Sequence, residues 1–310
     1  MHMRLLSFII PVYNNELTLR QLCGDIITLC GQQQDLEYEI ILIDDGSSDE
    51  SSIIMQELNV SNSKIRFVKF TSNFGQVTAI TAGLERVKGD AIVIRSADLQ
   101  DPVNLIEKFI AGWNQGNKVV IANRSKRSDG IIHRLQSALF YKLIRTVSPT
   151  MPKGGFDYCL IDKQVADELK KFKHRNRFLQ GDILSLGFST QFIPYERLED
   201  VNAKQRKKRS LSSSLKYSID GILDSTYLPI RFMSVLGVIC MLGGIAYSGL
   251  IVFARITDNV PFDGWAPLMI LILLIGGMLM LMMGIMGEYV WRIYDQLKKR
   301  PDYIIEKESE

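Results

Sequence analysis

Hydrophobic and polar positions divide the chain in two. Up to about residue 230 short apolar runs alternate with amphipathic stretches, whereas 232–287 is apolar almost throughout. The runs LLSFIIPVY (5–13), YEIILIDD (38–45), IRFVKF (65–70), DAIVIRSA (90–97) and KVVIAN (118–123) read as strands, and 16–30, 48–58 and 75–87 as helices between them. Ser47 followed by Glu50 predicts a capping-box start for the second helix. Strands that are apolar at nearly every position bury both faces. The expected fold class is therefore α/β, a Rossmann-like, mostly parallel sheet flanked by helices.

The second part predicts a membrane hairpin. Neither 232–254 nor 264–287 carries a charge, and each exceeds the ~20 residues that cross ~30 Å of hydrocarbon. Lys and Arg set the orientation. Residues 197–231 hold Arg197, Lys204, Arg206, Lys207, Lys208, Arg209, Lys216 and Arg231, and the end of the chain holds Arg292, Lys298, Lys299, Arg300 and Lys307. The intervening loop holds Arg255 alone. Both termini and the α/β domain are thus expected in the cytosol, at a cytoplasmic (inner) membrane. The domains expected are 1–195, the α/β domain; 196–231, a basic loop and amphipathic helix; 232–287, two spans; and 288–310, a cytoplasmic tail. Leu211, Leu215, Ile219, Ile222 and Leu223 recur at helical spacing, which suits a helix on the headgroups or one packed on the soluble domain.

Composition narrows the chemistry. A net charge of +3 gives no reason to expect a nucleic-acid partner. Cys23, Cys30, Cys159 and Cys240 lack any CxxC or Cys/His spacing, so neither structural zinc nor a disulfide framework is expected. The apolar run before Pro11 is too short for a signal-peptide core. No GxGxxG and no GxxxxGK[ST] is present, which counts against a dinucleotide enzyme and a P-loop NTPase. In open α/β sheets ligands gather at the carboxyl ends of the strands. Here those ends carry Asn14, Asn15 and Glu16, then Asp44 and Asp45, then Ser96, Asp98, Gln100 and Asp101. Carboxylates repeatedly leaving one edge repel unless a cation or many donors meet them.

At these residues the chain resembles the inverting family 2 glycosyltransferases, and within them the polyprenyl-phosphate branch of dolichyl-phosphate mannose synthases and bacterial undecaprenyl-phosphate glucosyltransferases. The matching pieces are IIPVYNNE, ILIDDGSSDES, SNFGQ with AITAGL, SADLQDP, VVIANR and GGFDYCLID, followed by two spans behind a basic loop. The resemblance implies a GT-A type sheet and transfer of a sugar from a nucleoside diphosphate to a polyprenyl phosphate, for cell-envelope polysaccharide. It implies Mg²⁺ or Mn²⁺ at an Asp-x-Asp-x-Gln run, which here reads Ser96-Ala97-Asp98-Leu99-Gln100. Asp98 and Gln100 remain as metal ligands, with serine in place of the first carboxylate. Asp101, just before Pro102, is expected to cap the next helix.

The resemblance also assigns nucleotide-sugar contacts to Pro11, Tyr13, Asn15, Glu16, Asp44, Asp45, Ser96 and Arg124. Asp45, with Asp44 as the alternative, would accept from base or ribose, and Glu16 stands in for a family glutamate at Asn15. Arg124 would contact the diphosphate, since its planar fork suits phosphate oxygens. Asp157 matches a position that acts as base or acceptor organiser. Arg197, Arg206, Lys207 and Arg209 would hold the lipid phosphate, although positive-inside topology also explains such charges. Glucose on UDP is the first expectation, with other UDP-sugars and GDP-mannose open. A homo-oligomer could pack through Gly243-Gly244 or Gly276-Gly277. A processive synthase would need a QxxRW motif, which is absent. A catalytically degenerate membrane-bound scaffold or sensor, suggested by Ser96, is the competing class.

Overall fold

The structure, a computed structural model, describes residues 3–33, 35–124, 152, 155–172, 177–198, 265–298 and 301–309, with scattered positions between 235 and 256. Every run read as a strand is one: β1 (Arg4–Val12), β2 (Leu36–Asp44), β3 (Ile65–Phe70), β4 (Ala91–Ile94) and β5 (Val119–Arg124). The expected helices are α1 (Leu19–Gly31), α2 (Ser51–Ser61) and α3 (Gln76–Leu84), followed by α4 (Leu105–Asn114). Beyond them lie β6 (Cys159–Asp162), α5 (Lys163–Lys171), α6 (Leu179–Ser185) and β7 (Thr190–Tyr195).

The sheet order is β7-β5-β6-β4-β1-β2-β3-β8, where β8 is Ile305–Glu308. β4, β1, β2 and β3 run parallel, and so do β5 and β7, while β6 is antiparallel between β4 and β5. The carboxyl ends of β1, β2, β4, β5 and β7 therefore leave along one edge. Register places Cys159 opposite both Ile94 and Ile121, so Asp157, just before β6, stands at that same edge. Along β1, Leu6, Phe8 and Ile10 pack into one core with α1, α2 and α4, while Ile9 faces the core under α5 and α6. Both faces are covered, which is why the strand reads as an unbroken apolar run. On α3, a Cβ added to Gly83 would lie 2.5 Å from Ile9 Cγ2, so only glycine lets this helix lie so close to β1.

One buried carboxylate on β2 links β1, β3 and the turn before β4. Glu39 accepts from Ser7 Oγ and Lys88 N–H through one oxygen and from Arg66 Nη2 at 2.7 Å through the other. Burial works to raise its pKa, but these donors outweigh it and leave the pKa below the ordinary value.

Two expectations change here. The end of the chain, expected as a tail over 288–310, adds a strand to the sheet, and Pro301–Glu310 belong to one compact unit with Met1–Asp224. β8 pairs antiparallel with β3, Tyr303 stacks on Phe70 with centroids 4.8 Å apart, and Arg86 bonds Glu308 at 2.6 Å and Tyr303 Oη at 3.0 Å. The strand residues Ile-Glu-Lys-Glu are all exposed, so no hydrophobic alternation advertised them. Short, charged strands are how sheets finish an edge. The capping box is also replaced. Glu50 does not reach back to Ser47, and Asp49 Oδ1 accepts from Ser51 N–H instead.

The second unit is Ser225–Arg300 and contains α7 (Trp265–Leu297), whose first charged residue is Glu288. In 232–254 the described positions 235, 237–239, 242–247, 249 and 253 are helical. Taken over the described residues alone, no helix is long and apolar enough to cross a membrane, so the two-span hairpin remains an expectation of the sequence. The amphipathic stretch before it and the cluster 204–209, with Arg206, Lys207 and Arg209, lie outside the described residues.

Tyr303→Ala removes the stack on Phe70 and a partner of Arg86, and is expected to cost about 2 kcal/mol. A fall in the thermal unfolding midpoint of the purified protein would show it; an unchanged midpoint would mean that β8 adds nothing to the sheet.

Candidate active site

The loops after β1 and β2 are laced together by side chains bonding backbone. Asn14 N–H donates to Ser47 Oγ, Ser48 N–H to Asn14 Oδ1, and Asn15 N–H to Ser51 Oγ at 2.8 Å. Glu16 N–H donates to Asp49, while Glu16 itself accepts from Glu50 N–H. These residues spend their polar groups across the two loops, and α1 and α2 start later than their patterns predict for that reason. Asn15 is buried and accepts from Tyr13 N–H, so its present contact is with the loop. Tyr13 is 49% exposed at the same edge, and Pro11 is half-buried beside it.

The two aspartates ending β2 are occupied differently. Asp45 accepts from Phe74 N–H at 2.6 Å and from Gly75 N–H with both oxygens, which ties β2 to the start of α3. Burial lifts its pKa to about 6, with these amides pulling the other way. Asp44 accepts from Ser47 N–H through Oδ1, while Oδ2 is buried without a hydrogen-bond partner. Burial raises its pKa as well, against the pull of Ser47. Of the two, Asp44 is the one with an oxygen that accepts no hydrogen bond. Gly46, at φ +73°, makes the arrangement fit: a Cβ there would meet the Ser72 carbonyl carbon at 2.6 Å and Asn73 N at 2.8 Å.

The turn after β4 gathers the remaining carboxylates. Ser96 Oγ donates to Asp98 Oδ1 at 2.7 Å and to Asp101 Oδ2 at 3.3 Å, so the serine still serves the motif, as a donor. Leu99, at φ +55°, holds a left-handed conformation that costs a non-glycine residue roughly 1–2 kcal/mol. That conformation lets Asp98 Oδ1 accept from Gln100 N–H. Arg197, just past β7, reaches Asp98 Oδ2 at 3.3 Å and Asp101 Oδ1 at 3.5 Å. Asp101 does not cap α4, whose N-cap is Asn104. It is 1% exposed and accepts instead from Tyr195 Oη at 2.6 Å. Beneath them Arg95 is fully buried, donates to the Asp101 carbonyl, and lies 5.1 Å over the Tyr158 ring.

Tyr195 carries the network across the sheet. It accepts from Arg124 Nε at 3.2 Å, and Arg124 Nη2 pairs with Asp157 Oδ2 at 2.7 Å. Asp157 Oδ1 accepts from Gln180 Nε2 at 3.2 Å. Burial opposes the charge on Arg124, yet Asp157, Tyr195 and Asp101 outweigh it and raise its pKa above the usual arginine value. Gln180, Asp157 and Phe156 also line a small cavity of about 60 Å³ against Val77, Ile80 and Phe178. Sequence reasoning had no role for Tyr195, Arg95 or Gln180. Each is placed by a partner far along the chain, and no local pattern marks it.

Among the described residues no group of three or more His, Cys, Asp or Glu is arranged to hold a metal. The donor set fits a cation completed by substrate: Asp98 supplies a carboxylate and Gln100 an amide, and Mg²⁺ sites of this kind draw their other oxygens from phosphates and water.

Residues 7–178 match the family model Glycosyl transferase family 2. The uncharacterised glycosyltransferase YkcC of Bacillus subtilis is 34% identical over 303 residues, covering 97% of this chain and 93% of that one. The bactoprenol glucosyl transferase of Shigella phage SfII is 31% identical over 304 residues, covering 97% of each chain. Among solved structures, glucosyl-3-phosphoglycerate synthase from Mycobacterium tuberculosis, in complex with Mn²⁺, UDP-glucose and phosphoglyceric acid, shares the fold at a TM-score of 0.50 and 17% identity, over 69% of this chain and 76% of that one. The matched residues include the strand ends that carry Asp44, Asp98 and Asp157, and the relatives continue past them along nearly the whole length, so the chain belongs to glycosyl transferase family 2 and is a glycosyltransferase.

Proposed function

We propose that this enzyme transfers a hexosyl group, glucose in the first instance, from UDP to a polyprenyl phosphate at the cytoplasmic membrane face, inverting the anomeric centre. The observation that carries the reading is the match to bactoprenol glucosyl transferases over 97% of the chain, well beyond the family domain that ends at residue 178. The donor side of the site supports it. Tyr13 is exposed for stacking on a base, and Asp44 Oδ2, though buried, accepts no hydrogen bond within the chain and would take one from base or ribose. Asp98 and Gln100 would hold a divalent cation. When bound, that cation neutralises charge on the departing diphosphate. Arg124, fixed by Asp157 and Tyr195, is aligned for diphosphate oxygens.

In the transfer, a phosphate oxygen of the lipid forms a bond to the anomeric carbon as the bond to the diphosphate breaks, and the nucleoside diphosphate leaves with that electron pair. A phosphate monoester with a second pKa of about 6 is largely dianionic at neutral pH and needs no base. Asp157 has both oxygens engaged, by Arg124 and Gln180, which supports a positioning role. Arg197, with Arg206, Lys207 and Arg209, would attract the lipid phosphate by charge.

The spans 232–254 and 264–287 would bring that acceptor to the site. Both stretches are free of charge and each is long enough to cross the hydrocarbon of a bilayer. The charge asymmetry described above sets the cytoplasmic orientation.

Membranes holding the protein are expected to convert labelled UDP-glucose and Mn²⁺ into an organic-extractable product, and a chelator should abolish it. Absence of lipid-linked sugar from UDP-glucose, other UDP-sugars and GDP-mannose alike would sink the proposal. Asp98→Ala should lower kcat by at least about 100-fold, the scale of losing a group that stabilises transition-state charge. Tyr195→Phe deletes the hydroxyl shared by Asp101 and Arg124. It should lower both kcat and the unfolding midpoint, the latter through a loss of about 1–3 kcal/mol; unchanged values in both assays would show that the link is idle.

A further inference from the structure

Asp98, on which the donor site depends, is already met by a guanidinium. The contacts of Arg197 to Asp98 and Asp101, at 3.3 and 3.5 Å, are long beside the ~2.7–2.9 Å of charge-assisted bonds. The Arg124–Asp157 pair in the same network closes to 2.7 Å. Through Nη2 Arg197 donates a hydrogen bond to Asp98 Oδ2 at this long distance, and its Nε is buried without a hydrogen-bond partner. It is also the exposed partner, its side chain 29% accessible against 5% for Asp98. The backbone beneath it is fixed, because Leu198 N–H donates to the Gln100 carbonyl at 2.9 Å. The side chain can therefore turn away while the chain stays in place.

Charge in this network is balanced. Among the described residues the three carboxylates Asp98, Asp101 and Asp157 share the network with three guanidinium groups: Arg197 pairs with Asp98 and Asp101, Arg124 pairs with Asp157, and Arg95 donates to the Asp101 carbonyl. Ser96 stands where a further carboxylate would favour a cation. A divalent ion arriving alone meets a carboxylate that is already neutralised, and must displace Arg197 with nothing to receive it. An ion arriving with a diphosphate brings anionic oxygens that can accept the released guanidinium.

Resting on the donor-site reading above, we propose that Arg197 is an exchangeable counter-ion of Asp98, which holds that carboxylate until a divalent cation and a nucleoside diphosphate arrive together. The cation then binds weakly by itself. Cation and nucleotide raise each other's affinity by one common factor, as thermodynamic reciprocity requires. Arg197 is in this sense a positioning residue, released by donor binding at the point where the chain leads on to the basic segment 204–209.

The test is Mn²⁺ binding to the purified full-length protein, read from the resonance signal of free Mn²⁺, with no nucleotide and with UDP or GDP. In the wild type, nucleotide should tighten Mn²⁺ binding by about tenfold or more. Arg197→Gln should bind Mn²⁺ without nucleotide about tenfold more tightly than the wild type, shrinking the nucleotide effect by the same factor. Arg197→Lys keeps the charge and should behave as the wild type, which separates loss of a counter-ion from damage to the fold. Unaltered Mn²⁺ affinity in Arg197→Gln, with the nucleotide effect intact, overturns the counter-ion role and leaves the donor site standing. Failure of the wild type to bind Mn²⁺ even with UDP or GDP overturns the donor-site reading itself, and this inference with it.

Discussion

The hydrogen bond from Tyr195 to Asp101, 2.6 Å long and buried, joins the outer strand β7 to the turn after β4, across β5 and β6. On its Tyr195 side it orders Arg124, which in turn holds Asp157. On its Asp101 side it orders Ser96 and Arg197, which meet Asp98. A phenol suits this junction because it satisfies a buried carboxylate without bringing a second full charge out of water. Burial, and then Asp101, raise the Tyr195 pKa, so the hydroxyl keeps its proton and goes on donating.

This junction answers a constraint set by topology. Strands running the same way deliver their ends to one edge, and here those ends are carboxylates that must not face one another unpaired. Each is met by a different device. Asp45 takes the backbone amides at the start of α3, Asp101 takes a phenol and a serine, and Asp157 takes an arginine and an amide. Asp98 takes a serine hydroxyl, a backbone amide and, at longer range, Arg197, while the loops after β1 and β2 are locked by their own side chains. In the proposed function these locked loops form a rigid donor wall, and preorganised surroundings reduce the rearrangement left to binding.

Much of this was legible in the chain. Strands β1 to β5 appear as apolar runs because both faces of the sheet are covered, and α1 to α3 by amphipathic spacing. The carboxylates are adjacent in sequence to those runs, so their arrival at one edge follows once the strands are parallel. Other features were hidden for physical reasons. β8 is four exposed residues whose pairing rests on Tyr303, Phe70 and Arg86, none of which forms a periodic pattern with it. Asp101 looked like a helix cap because proline follows it, but a buried tyrosine 94 residues away competes for it and wins.

By itself, then, the sequence determined the alternation of strands and helices, the uncharged stretches 232–254 and 264–287, and the clustering of Asp44, Asp45, Asp98 and Asp101 at strand ends. Those properties are local, written in periodicity and in neighbours along the chain. Only the tertiary structure decided which partners meet each carboxylate. Asp45 is tied to α3 while Asp44 keeps an oxygen that accepts no hydrogen bond, Asp101 is committed to Tyr195, and Asp98 is shared with Arg197. Such pairings join residues tens of positions apart, and are chosen by distance, burial and competing donors that no local pattern contains.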